Sequence, residues 1–494
     1  MQRSSQSVSA AGLQLDFTRH EQQTRTAAVL ALQSLAHSPR ELLAVNRLNV
    51  GEGRAAWHLL ARQGATGTDS ATRAAAAFLR KEAARANAWV QSIFHTSAGP
   101  LDIIHLGTGG CEMPMRAAFD AIAATQRPRC RVHWVANLDG ATLQQTLAAC
   151  EPERTWVLVN SKSFGTQEVI RTAGSVLQWL AGHWGGELAP SRMVALTASP
   201  ERVWETLRIP ASQVFCSLPE IGGRFSLWSV HGLVLTLAFG ETTVMHMHEG
   251  ALAMDEHTMR VPVSQSAPGL LAGLSYAARS HSNSDLLSIA LYGDAFEGTC
   301  HYLQQLLMES LGKSIAADGH TRLVMSGPVV LAGVGTSAQH SYFQYFHQAR
   351  RPAVHEFVAA RQAWHEYPDH HRGLLANAIG QAEALWHGRS SSEWERELLM
   401  QGQSADEAAH SARQRACGGG QASTFIWLER LDASHIGALF ALYEHRTVIE
   451  GWLLGVNPFD QWGVELGKTL AMNIERRELA SRAHEFTHQA PAPV

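Results

Sequence analysis

The sequence predicts an α/β protein made of two parallel-sheet units, each flanked by helices. Three observations carry that prediction. From residue 101 onward, short apolar runs alternate with polar loops and Ala- and Leu-rich stretches, the pattern of βα units in a three-layer αβα domain. A second series of the same kind starts at Leu286-Leu287-Ser288-Ile289-Ala290-Leu291-Tyr292. The strand–Gly-x-Gly turn at Gly107-Thr108-Gly109 is also echoed at Gly333-Val334-Gly335, after the apolar run 328–332.

Taken in order, residues 25–81 are rich in Ala and Leu and poor in Pro, so helices with short breaks are expected there. Leu101-Asp102-Ile103-Ile104-His105-Leu106 then reads as a buried strand running into Gly107-Thr108-Gly109-Gly110 and a helix. Residues 131–136, 155–159 and 193–196 read as further strands. Residues 390–420 are polar, contain Gly418-Gly419-Gly420, and read as helix and loop outside the core. From Glu475 the chain is charged and ends in Ala490-Pro491-Ala492-Pro493, read as a helix with frayed ends.

Composition narrows the function classes. The chain has 494 residues, 45% of them hydrophobic, with 40 Lys+Arg against 44 Asp+Glu and a formal net charge of −4. That balance shows no basic block and argues against nucleic acid as a partner. Six cysteines without a CxxC pair fit free thiols in a reducing compartment. Residues 1–16 lack the apolar core of a signal peptide. The most apolar stretch, 233–239, is far shorter than the ~20 residues of a membrane span. A cytoplasmic protein with no membrane partner is the expectation.

Four segments could carry chemistry. Ser161-Lys162-Ser163-Phe164-Gly165-Thr166-Gln167-Glu168 follows a strand and opens a helix. Its hydroxyls, lysine and first-turn N–H groups suit a phosphate, although a plain Ser/Thr N-cap reads the same way. In the helical run 300–310, Gln305 and Glu309 are four apart and share a face. Glu309 is either a general base or a carboxylate on a solvated face. Arg224 follows Gly222-Gly223, where it either meets an oxyanion or lies on a surface turn. Gln461 and Lys468 are two helical turns apart, so they either line one site or sit together in solvent.

Metal and dinucleotide readings are weak. The clusters His246-x-His248-Glu249 and His365-Glu366 with His370-His371 give neither HExxH nor a paired Cys/His spacing, so no metal is expected. Glu112 occupies the third glycine's place after Gly107-Thr108-Gly109-Gly110, so the turn suits close approach to a sugar or phosphate rather than a dinucleotide.

Together these segments resemble the glucose-6-phosphate isomerase family of the sugar isomerase (SIS) superfamily. Gly455-Val456-Asn457-Pro458-Phe459-Asp460-Gln461-Trp462-Gly463-Val464-Glu465-Leu466-Gly467-Lys468 is similar to the family's C-terminal motif throughout. In the family's order stand Leu48-Asn49, Glu52-x-Arg54-Ala55, Ser161-Lys162-Ser163-Phe164, Gly222-Gly223-Arg224-Phe225-Ser226-Leu227-Trp228, Met308-Glu309-Ser310 and Gln339-His340. His371-Arg372-Gly373-Leu374-Leu375-Ala376-Asn377 and Ala441-Leu442-Tyr443-Glu444-His445 are similar too.

The resemblance implies two SIS-type αβα domains, a smaller one over 65–235 and a larger one over 1–64 with 236–460, plus a C-terminal helical arm over 461–494. It implies a homodimer with shared active sites and no cofactor. The implied reaction interconverts glucose 6-phosphate and fructose 6-phosphate through a cis-enediol, in glycolysis and gluconeogenesis. Glu309 would be the base and Arg224 would stabilise the enediolate. His340, from the partner subunit, and Lys468 would open the ring, with Glu168 orienting the histidine. Ser161, Lys162, Ser163 and Thr166 would hold the phosphate, while Gly110, Gln305 and Gln461 would contact substrate. Six departures from the family pattern stand out: Cys111 for Ser, Gly165 for Thr, Leu311 for Asn, Ala338 for Gly, the unusual Val230-His231 pair, and the absence of the family's Gly-Asn-Arg/Lys-Pro-Ser/Thr pattern around Gly418 to Ser423.

Overall fold

The computed structural model describes residues 6–43, 48–62, 64–96, 99–349 and 351–488. The expected frayed tail at 490–493 and the first residues of the N-terminal stretch lie outside them. Its strands are β1 (Ser7–Ala10), β2 (Leu13–Arg19), β3 (Asp102–Leu106), β4 (Arg131–Val135), β5 (Thr155–Asn160), β6 (Met193–Thr197), β7 (Val214–Cys216), β8 (Leu286–Tyr292), β9 (Val329–Val334), β10 (Val354–Ala360) and β11 (Ser423–Leu428). They form a five-stranded sheet in the order β4-β3-β5-β6-β7 and a six-stranded sheet in the order β1-β2-β11-β10-β8-β9.

The smaller sheet is parallel throughout. β3 and β6 are buried along their whole length, which explains their continuous apolar runs. The chain passes from β3 outward to β4, then returns to the other side of β3 as β5. That reversal opens a crevice beyond the C-terminal ends of β3 and β5, the place where ligands bind in open parallel sheets. The Gly107–Gly110 turn follows β3 and the 161–166 loop follows β5, so both phosphate candidates arrive there by topology.

The larger sheet is mostly parallel with an antiparallel edge. β11, β10, β8 and β9 are parallel, but β1 and β2 form a hairpin that adds to β11 in the antiparallel sense. Ala11 and Gly12, with φ of 50° and 77°, make a two-residue turn between the paired Ala10 and Leu13. Two positive φ angles give the twist that a tight hairpin needs.

The helix Ala433–Leu454 runs through the core and packs on the helix Glu241–Arg260. They touch where a side chain would not fit. A Cβ on Gly250 would lie 1.8 Å from Ser434 O, and one on Gly437 would lie 1.9 Å from Met247 O. The same helix carries buried charge. Glu444 pairs with Arg62, Arg446 with Glu356 (3.3 Å) and Glu450 (3.0 Å), and Glu450 with Arg279 (2.7 Å). The C-terminal helix Glu465–His488, by contrast, is exposed along residues 465–478 apart from partial cover at 472 and 475. No helix among the described residues is long and apolar enough to cross a membrane.

Candidate active site

Glu309 lies near the end of the helix Glu297–Leu311. Its carboxylate accepts a hydrogen bond from Gln305 Nε2 (3.0 Å), one turn back, as the four-residue spacing predicts. Arg224 Nη1 stands 3.6 Å from Glu309 Oε2. The guanidinium is buried and held on every side. Nε donates to Ser310 Oγ (2.7 Å), Nη1 to Gln461 Oε1 (3.0 Å), and Nη2 to the carbonyls of Pro458 (2.6 Å) and Asp460 (3.1 Å). Its surface-turn reading is therefore excluded. Burial pulls its pKa down, opposed by Glu309 and Asp460, and an arginine stays charged through such a shift.

A further support stands behind Arg224. Tyr302 O–H donates to the Arg224 carbonyl (3.2 Å) and also lies 3.4 Å from Glu444 Oε1. Glu444 accepts from Trp228 Nε1 (2.8 Å) and from Arg62. The arginine segment is thus fixed to the buried charges of the core helix.

Sequence reasoning passed over Lys313. Its ammonium donates to the carbonyls of Glu309 (2.8 Å), Ser310 (2.6 Å) and Asp460 (3.0 Å), binding the Glu309 helix end to the 457–461 loop. Burial, reinforced by Arg224, lowers its pKa to about 8. The available signal was a lysine four residues after Glu309, but its meaning depends on Asp460, far away in sequence.

The loop end of the site is linked to this one by the turn after β3. A Cβ on Gly110 would sit 2.3 Å from Arg224 N, so only glycine allows this approach. Ser226 Oγ donates to Gly110 O (3.3 Å). Burial pushes the neighbouring Cys111 thiol up, while the Lys162 N–H and ammonium pull it down, which puts Cys111 against the 161–166 loop.

In that loop Ser161 Oγ donates to Thr166 Oγ1 (3.3 Å), and Lys162 Nζ donates to Pro219 O (2.8 Å). Burial, with Arg54 adding to it, brings the Lys162 pKa down to about 8. Phe164 takes a left-handed φ of 45° with its ring buried, a costly conformation for a non-glycine residue. Thr166 occupies the N-cap position of the helix Gln167–Trp184, yet its side chain makes no capping hydrogen bond. The plain N-cap reading therefore fails, and the first-turn N–H groups keep their capacity for an anion. Ser163 is exposed, and Glu168 is half-buried in the helix's first turn.

A cavity of about 660 Å³ opens beside Glu309, lined also by Lys313, Asn457, Asp460, Gln461 and Trp462. Lys468 and His340 do not line it. The expectation that Gln461 and Lys468 share a helix face is overturned. A 3-10 turn at Trp462–Val464 intervenes and the helix begins only at Glu465, so Gln461 turns to Arg224 while Lys468 pairs with Glu465 (3.0 Å) in solvent. His340 follows the short helix Gly335–Gln339 and is exposed.

Three departures find a physical account. A Cβ on Gly165 would lie 2.6 Å from Arg202 Nη1, which donates to Ser163 O (2.9 Å), so Arg202 occupies the space a threonine would need. Leu311 and Ala338 are buried. Away from the site, Asp102, His133 and Cys150 come within 4.8 Å of one another. Both Asp102 oxygens are engaged, Oδ1 by His133 (2.8 Å) and Oδ2 by Arg131 (2.7 Å). Asp102 is thereby committed to Arg131 and His133.

Fold and site together define a phosphosugar isomerase of the α/β class. The sequence profile of the phosphoglucose isomerase family matches residues 16–492. The glucose-6-phosphate isomerase of Cupriavidus metallidurans is 37% identical over 97% of this chain and 89% of its own. That of Bordetella petrii is 34% identical over 98% and 92%. The crystal structure of a glucose-6-phosphate isomerase from Chlamydia trachomatis superposes with a TM-score of 0.81 at 25% identity, covering 98% of this chain and 93% of that one. The chain belongs to the phosphoglucose isomerase family.

Proposed function

We propose that this isomerase interconverts glucose 6-phosphate and fructose 6-phosphate with Glu309 as the base. In the open-chain aldose, Glu309 takes the proton from C2 while the C1 carbonyl oxygen gains a proton, giving the cis-enediol. The protonated Glu309 then returns its proton to C1 as the C2 hydroxyl loses its own and becomes the ketose carbonyl. Arg224 stabilises the negative charge that develops on the enediolate oxygens. The observation that carries this reading is the Glu309–Arg224 pair itself, a helix-borne carboxylate 3.6 Å from a fixed, buried guanidinium. Proton abstraction beside a carbonyl needs that combination.

The phosphate is the remote handle that positions the sugar, held by Ser161, Lys162, Ser163, Thr166 and the first-turn N–H groups. Gly110, Gln305 and Gln461 contact the sugar. Lys468 and His340 open the ring, and Glu168 orients the histidine. The exposure of Lys468 and His340 supports a homodimer in which a second copy brings His340 to the site. The C-terminal helix supports it too, because Leu466, Leu470 and Ile474 recur at four-residue spacing and stay exposed. No step in this scheme uses a metal or cofactor. The free cysteines support a cytoplasmic location.

The test is a coupled assay from fructose 6-phosphate. Glu309→Gln should lower kcat by ~10²–10⁴-fold, and retained turnover would remove Glu309 from its role. Glu309→Gln and His340→Ala homodimers, each inactive, should recover up to about a quarter of wild-type activity when dissociated and reassembled together, since half the dimers then hold one intact shared site. No recovery would separate His340 from a shared site. Turnover of another sugar phosphate in preference would redirect the substrate assignment within the same chemistry.

A further inference from the structure

His231, one of the unusual residues after Arg224, is fully buried, as are Asn160 and His105; Ser217 is also buried. These four come from separate segments: the end of β3 (His105), the last residue of β5 (Asn160), the residue after β7 (Ser217) and the 3-10 turn Val230–Gly232 (His231). Their hydrogen bonds form one network with only one consistent set of protons.

Asn160 Nδ2 donates to the His231 carbonyl (3.1 Å), which can only accept, so the amide orientation is fixed. Asn160 Oδ1 must then accept from His231 Nδ1–H (2.5 Å). That leaves His231 Nε2 bare to accept from Ser217 O–H (2.8 Å). The second Nδ2 proton goes to His105 Nε2 (3.1 Å). Burial lowers the pKa of both histidines to about 3, so each ring is neutral and this proton arrangement persists at physiological pH.

The network lies directly under the 161–166 loop. Asn160 immediately precedes Ser161. Ser217 N donates to Thr197 O (2.8 Å), and Thr197 Oγ1 and Ala198 N donate to Lys162 O at 3.0 and 2.9 Å. His231 therefore joins the ends of β5 and β7 on either side of β6, and the β6 end holds the Lys162 carbonyl. The same residue lies seven positions beyond Arg224, so one side chain bridges the phosphate loop and the arginine-bearing segment.

We infer that the His231–Asn160–Ser217 network is a positioning device that sets the geometry of the phosphate loop and with it the affinity for the substrate's phosphate. His231 touches no substrate. It acts through Asn160 and Lys162, and the inference rests on the reading of 161–166 as the phosphate loop. Removing the imidazole leaves the buried Asn160 Oδ1 and the Ser217 hydroxyl without partners, a penalty that relaxation of the β5 end into the loop would relieve.

The test measures KM for fructose 6-phosphate, kcat, and the inhibition constant of inorganic phosphate in three variants of the full chain. His231→Leu should raise both KM and the phosphate inhibition constant about tenfold, the worth of roughly one hydrogen bond, with kcat within about twofold. His231→Gln, which can donate to Asn160 and accept from Ser217, should recover most of the loss. Thr166→Val tests the loop itself. If Thr166→Val leaves phosphate inhibition unchanged, the phosphate-loop reading fails. If it weakens inhibition while His231→Leu changes only the melting temperature, or lowers kcat without moving the inhibition constant, the positioning role alone is overturned. Should His231→Leu not fold, Ser217→Ala replaces it, with a smaller shift of the same sign expected and an unchanged inhibition constant overturning the inference.

Discussion

Two consecutive long helices of this chain live in opposite environments. Ala433–Leu454 is buried without a break from Ile436 to Gly451 and carries Glu444, Arg446 and Glu450 inside the core. Glu465–His488, only ten residues later, exposes Leu466, Leu470 and Ile474 to solvent. The first keeps charge where water is absent, and the second keeps apolar side chains where water is present. Each arrangement is costly alone and makes sense only with a partner. For the core helix the partners are within the chain: Arg62, Arg279 and Glu356. For the C-terminal helix the proposed partner is a second copy.

The contrast can be broken from the inside first. Glu444→Leu leaves Arg62 with one of its two carboxylates and removes the acceptor of Trp228 Nε1. Breaking one side of a buried ion pair typically costs ~3–5 kcal/mol. Urea denaturation should show a loss of that size, accompanied by reduced activity because Tyr302 and Arg224 rest on the same carboxylate. A loss below ~1 kcal/mol would mean that the network is replaceable by packing.

The outer helix should respond in association rather than in folding. The triple variant Leu466→Ser, Leu470→Ser, Ile474→Ser removes side chains worth ~1.5–3 kcal/mol each when buried. Light scattering should then show a monomer mass at concentrations where the wild type gives the mass of the proposed dimer, with far-ultraviolet circular dichroism unchanged and activity reduced in proportion to dissociation. An unaltered mass would remove the helix from the interface.

The smallest effect is expected at the N-cap of the core helix. Asp432 accepts from His435 N (2.9 Å) and His435 Nδ1 (2.7 Å) and pairs with Arg430. Burial pushes its carboxyl up, but these bonds outweigh burial and hold it well below its ordinary value of 3.8. A depressed folded-state pKa stabilises the protein above the unfolded value and is lost as pH falls through the folded one. Asp432→Ala should therefore cost about 1 kcal/mol at neutral pH, and the difference from wild type should shrink steadily as pH is lowered below 3.8. A pH-independent difference would locate the effect elsewhere.

What could be read from the sequence follows from how each residue is stabilised. β3 and β6 were legible because both of their faces are buried and their runs are apolar. β10 was not, because it carries His355 and Glu356 in the core, and Glu356 accepts from Tyr443 and pairs with Arg446, both on a helix distant in sequence. β2 had a usable signal, the alternation of Leu13, Leu15 and Phe17, which the polar residues around it masked. In the site, the Gln305–Glu309 spacing translated directly into a contact. Lys313 and the divergence of Gln461 from Lys468 did not, since both depend on the 457–464 loop folding back on the Glu309 helix. The departure at Gly165 became intelligible only with Arg202 beside it.

The hairpin at the start of the chain has a consequence for synthesis. β1 and β2 are made before the other described strands, yet their sheet partner β11 is made after all of them. The smaller sheet draws all its strands from residues 102–216 and can assemble while the rest of the chain is still being translated. The N-terminal segment must wait, with Leu13, Leu15 and Phe17 uncovered, until β11 emerges. A closure of such long sequence separation is slow, so β1 and β2 complete the larger sheet among the last.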